Sequence, residues 1–153
     1  MVITFGKKHN GKSVELVMLR DPSYIKWMLS LSNPSGSIKK AIGHVKTLQM
    51  KFDAKPYLGK TCWNKLCKNP VTKLTVYHDN LDPYWWCDTC DPYDAGANPG
   101  KLQSPDDYDL ALLHVDHFCS NRKSDYLDLI KTIAEAKGLP KRVGENAAQQ
   151  FFA

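Results

Sequence analysis

Two cysteine pairs constrain this chain more than any other feature: Cys62-x4-Cys67 and, further on, Cys87-x2-Cys90. The residues between them read as a β-hairpin. Residues 72–78 alternate like a strand, residues 79–83 (Asp-Asn-Leu-Asp-Pro) are turn formers, and residues 84–86 lead into the second pair. Each pair then sits at one end of the hairpin, where both can reach a single tetrahedral ion, and thiolates are the soft donors that zinc favours. The spacing predicts one structural Zn2+ held by Cys62, Cys67, Cys87 and Cys90 in a ribbon over residues 59–103. Four thiolates close the coordination shell, so a water-activating metal is disfavoured, and the ion substitutes for a core that so short a ribbon cannot build. Two disulfides or a redox Cys-x-x-Cys is the competing reading. An odd total of five cysteines and the lack of a leader-like segment weigh against it.

The flanking sequence is helical in rhythm, which makes the expected class α+β: a small hairpin-helix module over 1–58, the central ribbon over 59–103 and C-terminal helices over 104–153 that pack the two together. Residues 2–5 and 13–18 are β-rich around a Gly/Asn/Lys turn and predict an N-terminal hairpin. Asp21-Pro22 opens a helix that Asn33-Pro34 stops, and residues 37–52 predict a second, basic amphipathic helix. An irregular loop covers 93–103. Ser104-Pro105-Asp106-Asp107 then reads as a helix start, with Ser104 as cap and Pro105 in the first turn. Ser124 and Asp125 open a further helix that Gly138 closes, and residues 145–152 suggest a last short one. No apolar run approaches the roughly 20 residues of a membrane span, so a cytoplasmic protein with no membrane partner is expected.

Charge is distributed unevenly. Residues 1–70 carry thirteen Lys/Arg against Glu15, Asp21 and Asp53, whereas residues 71–120 carry two lysines against nine aspartates. A basic half of this kind suits a polyanion, most often nucleic acid. Lys7, Lys8 and Lys12 gather on the N-terminal turn, Lys39, Lys40 and Lys46 on the basic helix, and Lys65 and Lys68 around the first cysteine pair. Phosphate contacts by such groups give salt-sensitive binding with little sequence preference. Solvated lysines that only solubilise the surface are the alternative. On a period-2 strand Trp85 and Trp86 face opposite ways, and Trp86 is a candidate for base stacking, with burial of both indoles as the plainer expectation.

Phe5-Gly6-Lys7, Gly11-Lys12-Ser13, Asp21-Pro22-Ser23-Tyr24 and Trp27 together resemble the small domain at the C-terminus of exonuclease X-like DEDD nucleases and the related family of quorum-sensing-regulated virulence factors. The resemblance covers about the first 35 residues. It implies an accessory module that helps a nuclease hold nucleic acid, with Gly6 and Gly11 serving the turn, Tyr24 and Trp27 its packing, and Lys7 and Lys12 exposed toward phosphates. The turn is one residue longer here, and no DEDD catalytic core accompanies it. A phage or mobile-element origin would suit a short protein that joins such a module to a zinc ribbon.

The expected function is therefore an accessory or regulatory protein that binds nucleic acid, DNA in preference, with a protein partner in a nucleic-acid-processing complex as a further possibility. Two other classes stay open. The acidic stretch from Asp79 to Asp116 would let the chain dock on a basic protein or mimic DNA as an inhibitor. Asp88, Asp91 and Asp94 loosely resemble a magnesium-binding nuclease cluster, although solvated loop carboxylates are the simpler reading. His114, His117 and Cys119 are read as core and capping residues rather than a second metal site.

Overall fold

A computed structural model describes residues 1–78, 80–98, 100–120 and 122–153. Asp79, expected in the hairpin turn and in the acidic stretch, lies outside the described residues. The architecture is α+β, with six helices and a three-stranded antiparallel sheet among the described residues. The helices are α1 (Val14–Arg20), α2 (Pro22–Leu29), α3 (Gly36–Ala54), α4 (Tyr108–Phe118), α5 (Lys123–Ala136) and α6 (Glu145–Phe152), and the strands are β1 (Lys73–Tyr77), β2 (Asn80–Trp86) and β3 (Leu102–Gln103).

Helix α1 is the hub, packed by α2, α3, α5 and α6, and residues 14–19 are all buried. Its start is held across the whole chain. Ser13 Oγ accepts from the Leu16 backbone N–H as the N-cap, while the Ser13 N–H and hydroxyl donate to the two carboxylate oxygens of Glu145, at 3.1 and 2.6 Å. The expected N-terminal hairpin is thus corrected in its second arm. Val2 and Ser13 form only an isolated antiparallel bridge, and the residues after Ser13 turn directly into helix. The turn itself is tight: Gly6 and Gly11 take φ of +70° and +86°, the left-handed region that glycine enters without cost.

Helices α1–α6 and one face of the sheet enclose a single main core, from Ile3 to Phe152. Tyr108 is fully buried at its centre, with its ring edge-on to Phe52 and its hydroxyl donating to the Met18 carbonyl at 2.7 Å. Lys137, also buried, donates to the Phe52 and Asp53 carbonyls at the end of α3, a cationic cap on the negative end of that helix. Desolvation lowers its pKa. Helix α5 ends in a Schellman motif: Leu139 N–H reaches the Ala134 carbonyl and Gly138 N–H the Glu135 carbonyl, with Gly138 at φ +105°.

The sheet order is β2-β1-β3. Lys73, Leu74 and Thr75 pair with Trp86, Trp85 and Tyr84, and Tyr77 pairs with Asn80, so Val76 faces three residues of β2 in a bulge. That bulge on an edge strand is what admits Pro83, which lacks a ladder N–H, and it draws residues expected as turn into the strand. On the other side β3 pairs with Val76 and Tyr77 only. The remaining β1 groups are satisfied by side chains, since Leu74 N–H donates to Asp106 Oδ1 and Ser104 Oγ donates to the Leu74 carbonyl. With Ser104 and Asp106 so engaged, α4 begins later than the sequence implied. Its N-cap is Asp107, which accepts from the Leu110 N–H at 2.7 Å.

A four-cysteine candidate metal centre

Strand alternation gives the sheet two occupied faces. Leu74, Val76 and Trp85 face the helical core, where the Trp85 ring meets Tyr57 edge-on. Trp86 and Tyr84 face the opposite way, onto a second cluster made with Cys62, Cys67, Cys87 and Cys90. Among the described residues Cys62, Trp86 and Cys87 are buried there, with Cys67, Tyr84 and Cys90 half-buried against them. So small a cluster buries little apolar surface for a loop of this length.

The segment carrying Cys62 and Cys67 is held to the hairpin by backbone bonds. Trp63 N–H donates to the Trp85 carbonyl at 2.7 Å, Thr72 N–H to the Trp86 carbonyl at 2.9 Å, and Thr61 and Pro70 form a bridge. Cys87 follows directly on β2, and Cys90 lies a tight turn later. The four sulfurs consequently converge, all within 4.8 Å of one another, with Cys67 and Cys87 Sγ at 3.4 Å. All four thiols are free. A disulfide requires about 2.05 Å, whereas a tetrahedral ion at about 2.3 Å from each sulfur spaces the sulfurs about 3.8 Å apart. The quartet can hold one metal ion.

The surroundings suit charged sulfur. Asn69 N–H lies 3.5 Å from Cys67 Sγ, the Asn64 amide 3.6 Å from Cys90 Sγ, and the Thr89 hydroxyl 3.3 Å from Cys87 Sγ. Such donors orient thiolate ligands and share their charge. The Thr89 hydroxyl brings the Cys87 thiol down to about 5, while the neighbouring Cys87 sulfur pushes Cys90 up to about 12. Sulfurs this close cannot all shed their protons without a cation among them.

The fifth cysteine stands apart: Cys119 is the C-cap of α4, its Sγ 3.8 Å from the His78 carbonyl. His114 is 3% exposed against Phe118, and burial lowers its pKa. Among the described residues, the quartet is where three or more Cys, His, Asp or Glu side chains come together in ligand geometry. Asp88 instead accepts from the Thr72 hydroxyl, and Asp91 from the Tyr93 N–H.

Of the expected nucleic-acid contacts, Lys7, Lys8, Lys12, Lys39, Lys40, Lys46, Lys65 and Lys68 are all exposed. They stand on three separate elements: the N-terminal turn, α3, and the loop around Cys67. Trp86 is placed otherwise, at 2% exposure with its indole N–H donating to Thr75 Oγ1 at 2.7 Å. The exposed indole of the ribbon is that of Trp63, at 56%, edge-on to Tyr84. Its position beside Cys62 made it visible in sequence as part of the aromatic surround, without a strand period to show which way it faced.

No family model matches the chain, and no characterised protein or solved structure matches it either.

Proposed function

We propose that this protein is a zinc-ribbon nucleic-acid-binding accessory factor, with DNA the favoured ligand. The metal is read as Zn2+ because four converging thiolates form the soft, closed, tetrahedral donor set of structural zinc. Cys62, Cys67, Cys87 and Cys90 would hold it, and it would supply folding energy rather than chemistry.

The observation that carries the nucleic-acid reading is the fate of the three acidic residues in the first seventy. Glu15 is 4% exposed and bonded to His44 at 2.5 Å and to Gln149 at 3.2 Å; Asp21 is 3% exposed and bonded to Lys8, His9 and Ser23; Asp53 accepts from the Tyr108 N–H. Glu15 and Asp21 are taken into the fold and Asp53, itself exposed, is engaged at the start of α4, while Lys7, Lys12, Lys39, Lys40, Lys46, Lys65 and Lys68 stand exposed. With two of its three carboxylates buried, this half presents a surface dominated by lysine, and a polyanion is its natural ligand. The resemblance of the first 35 residues to the exonuclease X accessory domain adds to this reading.

Fluorescence anisotropy with duplex DNA, single-stranded DNA and RNA across a salt series tests it. Binding should weaken steeply with salt. Replacing Lys39 and Lys40 together by Ala should flatten the duplex log–log slope by roughly 1.8, about 0.9 for each lost phosphate contact. Neutralising Asp88 and Asp91 should leave affinity unchanged or slightly raise it. Absence of salt-dependent binding to all three nucleic acids would refute the proposal and move the acidic face of residues 80–116 to the front as a protein-docking surface.

A further inference from the structure

We infer that the N-terminal turn and the start of α5 together form a binding pocket for a phosphate group, walled by His9, Lys12, Arg20, Asp21 and Lys123. The inference deepens the nucleic-acid reading and in part rests on it, but its evidence is local. Asp21 lies at the bottom of the cluster, and one of its oxygens, Oδ2, receives three nitrogen groups: His9 Nε2 at 2.7 Å, Lys8 Nζ at 3.1 Å and Lys123 Nζ at 3.3 Å. Its other oxygen accepts from the Ser23 hydroxyl at 2.7 Å. One carboxylate cannot neutralise two ammonium groups, and Lys12 and Arg20 add two more positive charges at the cavity of about 180 Å³ that Asp21 and Lys123 line.

The lysines arrive from sequence positions far apart. Lys8 is on the turn and Lys123 is the first residue of α5, so their convergence on one atom is a product of the tertiary fold. Their side chains remain 53% and 55% exposed, leaving donor positions open toward solvent after each has met Asp21. His9 lines the same cavity, and its Nδ1 is buried without a hydrogen-bond partner. Lys12, Arg20 and Lys123 line the concave site, and with Lys8 on the shared Asp21 anchor four full positive charges meet one carboxylate, which suits a compact multivalent anion with several acceptor oxygens. Among biological groups that is phosphate. Asp21 acts as the positioning residue: its carboxylate, at the cavity wall, fixes Lys8, His9 and Lys123.

The same chemistry could come from a nucleic-acid backbone or from a terminal or free phosphate, and the test separates them. Calorimetric titration of the full chain with inorganic phosphate is compared for the wild type, Arg20→Gln, Lys123→Gln and the control Lys101→Ala, an exposed lysine just before β3, with thermal midpoints recorded for each. Arg20 makes none of the Asp21 bonds, so its substitution leaves the anchor intact. Phosphate should bind the wild type and Lys101→Ala alike, and about fivefold or more weaker to each pocket variant. A single-stranded oligonucleotide with and without a 5′-phosphate then identifies the source: equal pocket-dependent affinities assign the site to the backbone, and tighter binding of the phosphorylated form assigns it to a terminal phosphate. No phosphate binding by the wild type, or pocket variants that match it while duplex DNA is still bound, overturns the pocket and leaves the nucleic-acid reading standing. Phosphate binding that depends on Arg20 and Lys123 in a chain that binds no nucleic acid has the opposite effect, retaining the pocket for small phosphorylated ligands.

Discussion

Asp21 shows how one side chain can serve a helix, a tertiary contact and a surface charge together. The sequence marks it as an N-cap before Pro22, and it does stand at that position, but its carboxylate makes no capping bond. It turns inward to Ser23, His9, Lys8 and Lys123 instead. Burial alone would raise its pKa; the Ser23, His9 and Lys8 bonds together outweigh that and hold it well below the usual carboxylate range. A folded-state pKa below the unfolded value of about 3.9 contributes stability that is fully present above that value and is lost as pH falls below it. Acid denaturation followed by circular dichroism should therefore show wild-type stability falling between about pH 4 and pH 2. Asp21→Asn should be less stable at pH 7 by about 2–3 kcal/mol, with a flatter acid limb. Equal acid limbs for the two proteins would show that the carboxylate is not the titrating anchor. What could not be read from sequence was the partner set, because Lys123 lies a hundred residues away and only the packing of α5 against α1 and α2 brings it near.

At the scale of elements, amphipathic patterns were legible and fully buried ones were not. Helices α3, α5 and α6 each keep a solvent face, so their apolar stripes gave limits within a residue or two of those observed. Helix α1 has no such face apart from Arg20. Val14, Leu16, Val17, Met18 and Leu19 are all enclosed, and a short run apolar on every side carries no helical period that distinguishes it from a β-strand. The start of α4 misled for a different reason. Ser104 and Asp106 have the residue types of a cap, but they complete the edge of β1 where β3 is too short to do so. The end of α5 was legible because glycine there answers a local demand. Gly138 holds φ +105°, and a Cβ added to it would meet Leu58 Cδ1 at 3.4 Å. Gly138→Ala should cost about 1–2 kcal/mol in chemical denaturation, from left-handed strain and the loss of an unhindered Schellman turn. An unchanged denaturation midpoint would mean that the motif relaxes without loss.

For the whole molecule, the sheet is the shared wall between two unlike interiors. Leu74, Val76 and Trp85 close the helical core on one side, and Trp86 and Tyr84 lie against the cysteines on the other. Alternation along β2 is enough to give Trp85 and Trp86 their opposed directions, and their packing against neighbouring elements was the plainer of the two expectations. The cysteine quartet was legible for the same local reason, since its spacing needs only a hairpin to converge. The exposure of the surrounding surface was not legible, because it depends on which carboxylates the fold takes inward. No helix among the described residues is long and apolar enough to cross a membrane. On the zinc reading proposed above, the metal would stand in for a second hydrophobic core, and the order of the cysteine loops with Trp63, Lys65 and Lys68 would depend on it. The most direct measurement is metal content by elemental analysis of the purified chain, in the wild type, Cys87→Ser and Cys119→Ser. About one zinc per chain is expected in the wild type and in Cys119→Ser, with loss of zinc and a lower thermal midpoint in Cys87→Ser. A Cys87→Ser protein that retains full zinc content and unchanged thermal stability would contradict the assignment of the quartet as the metal centre.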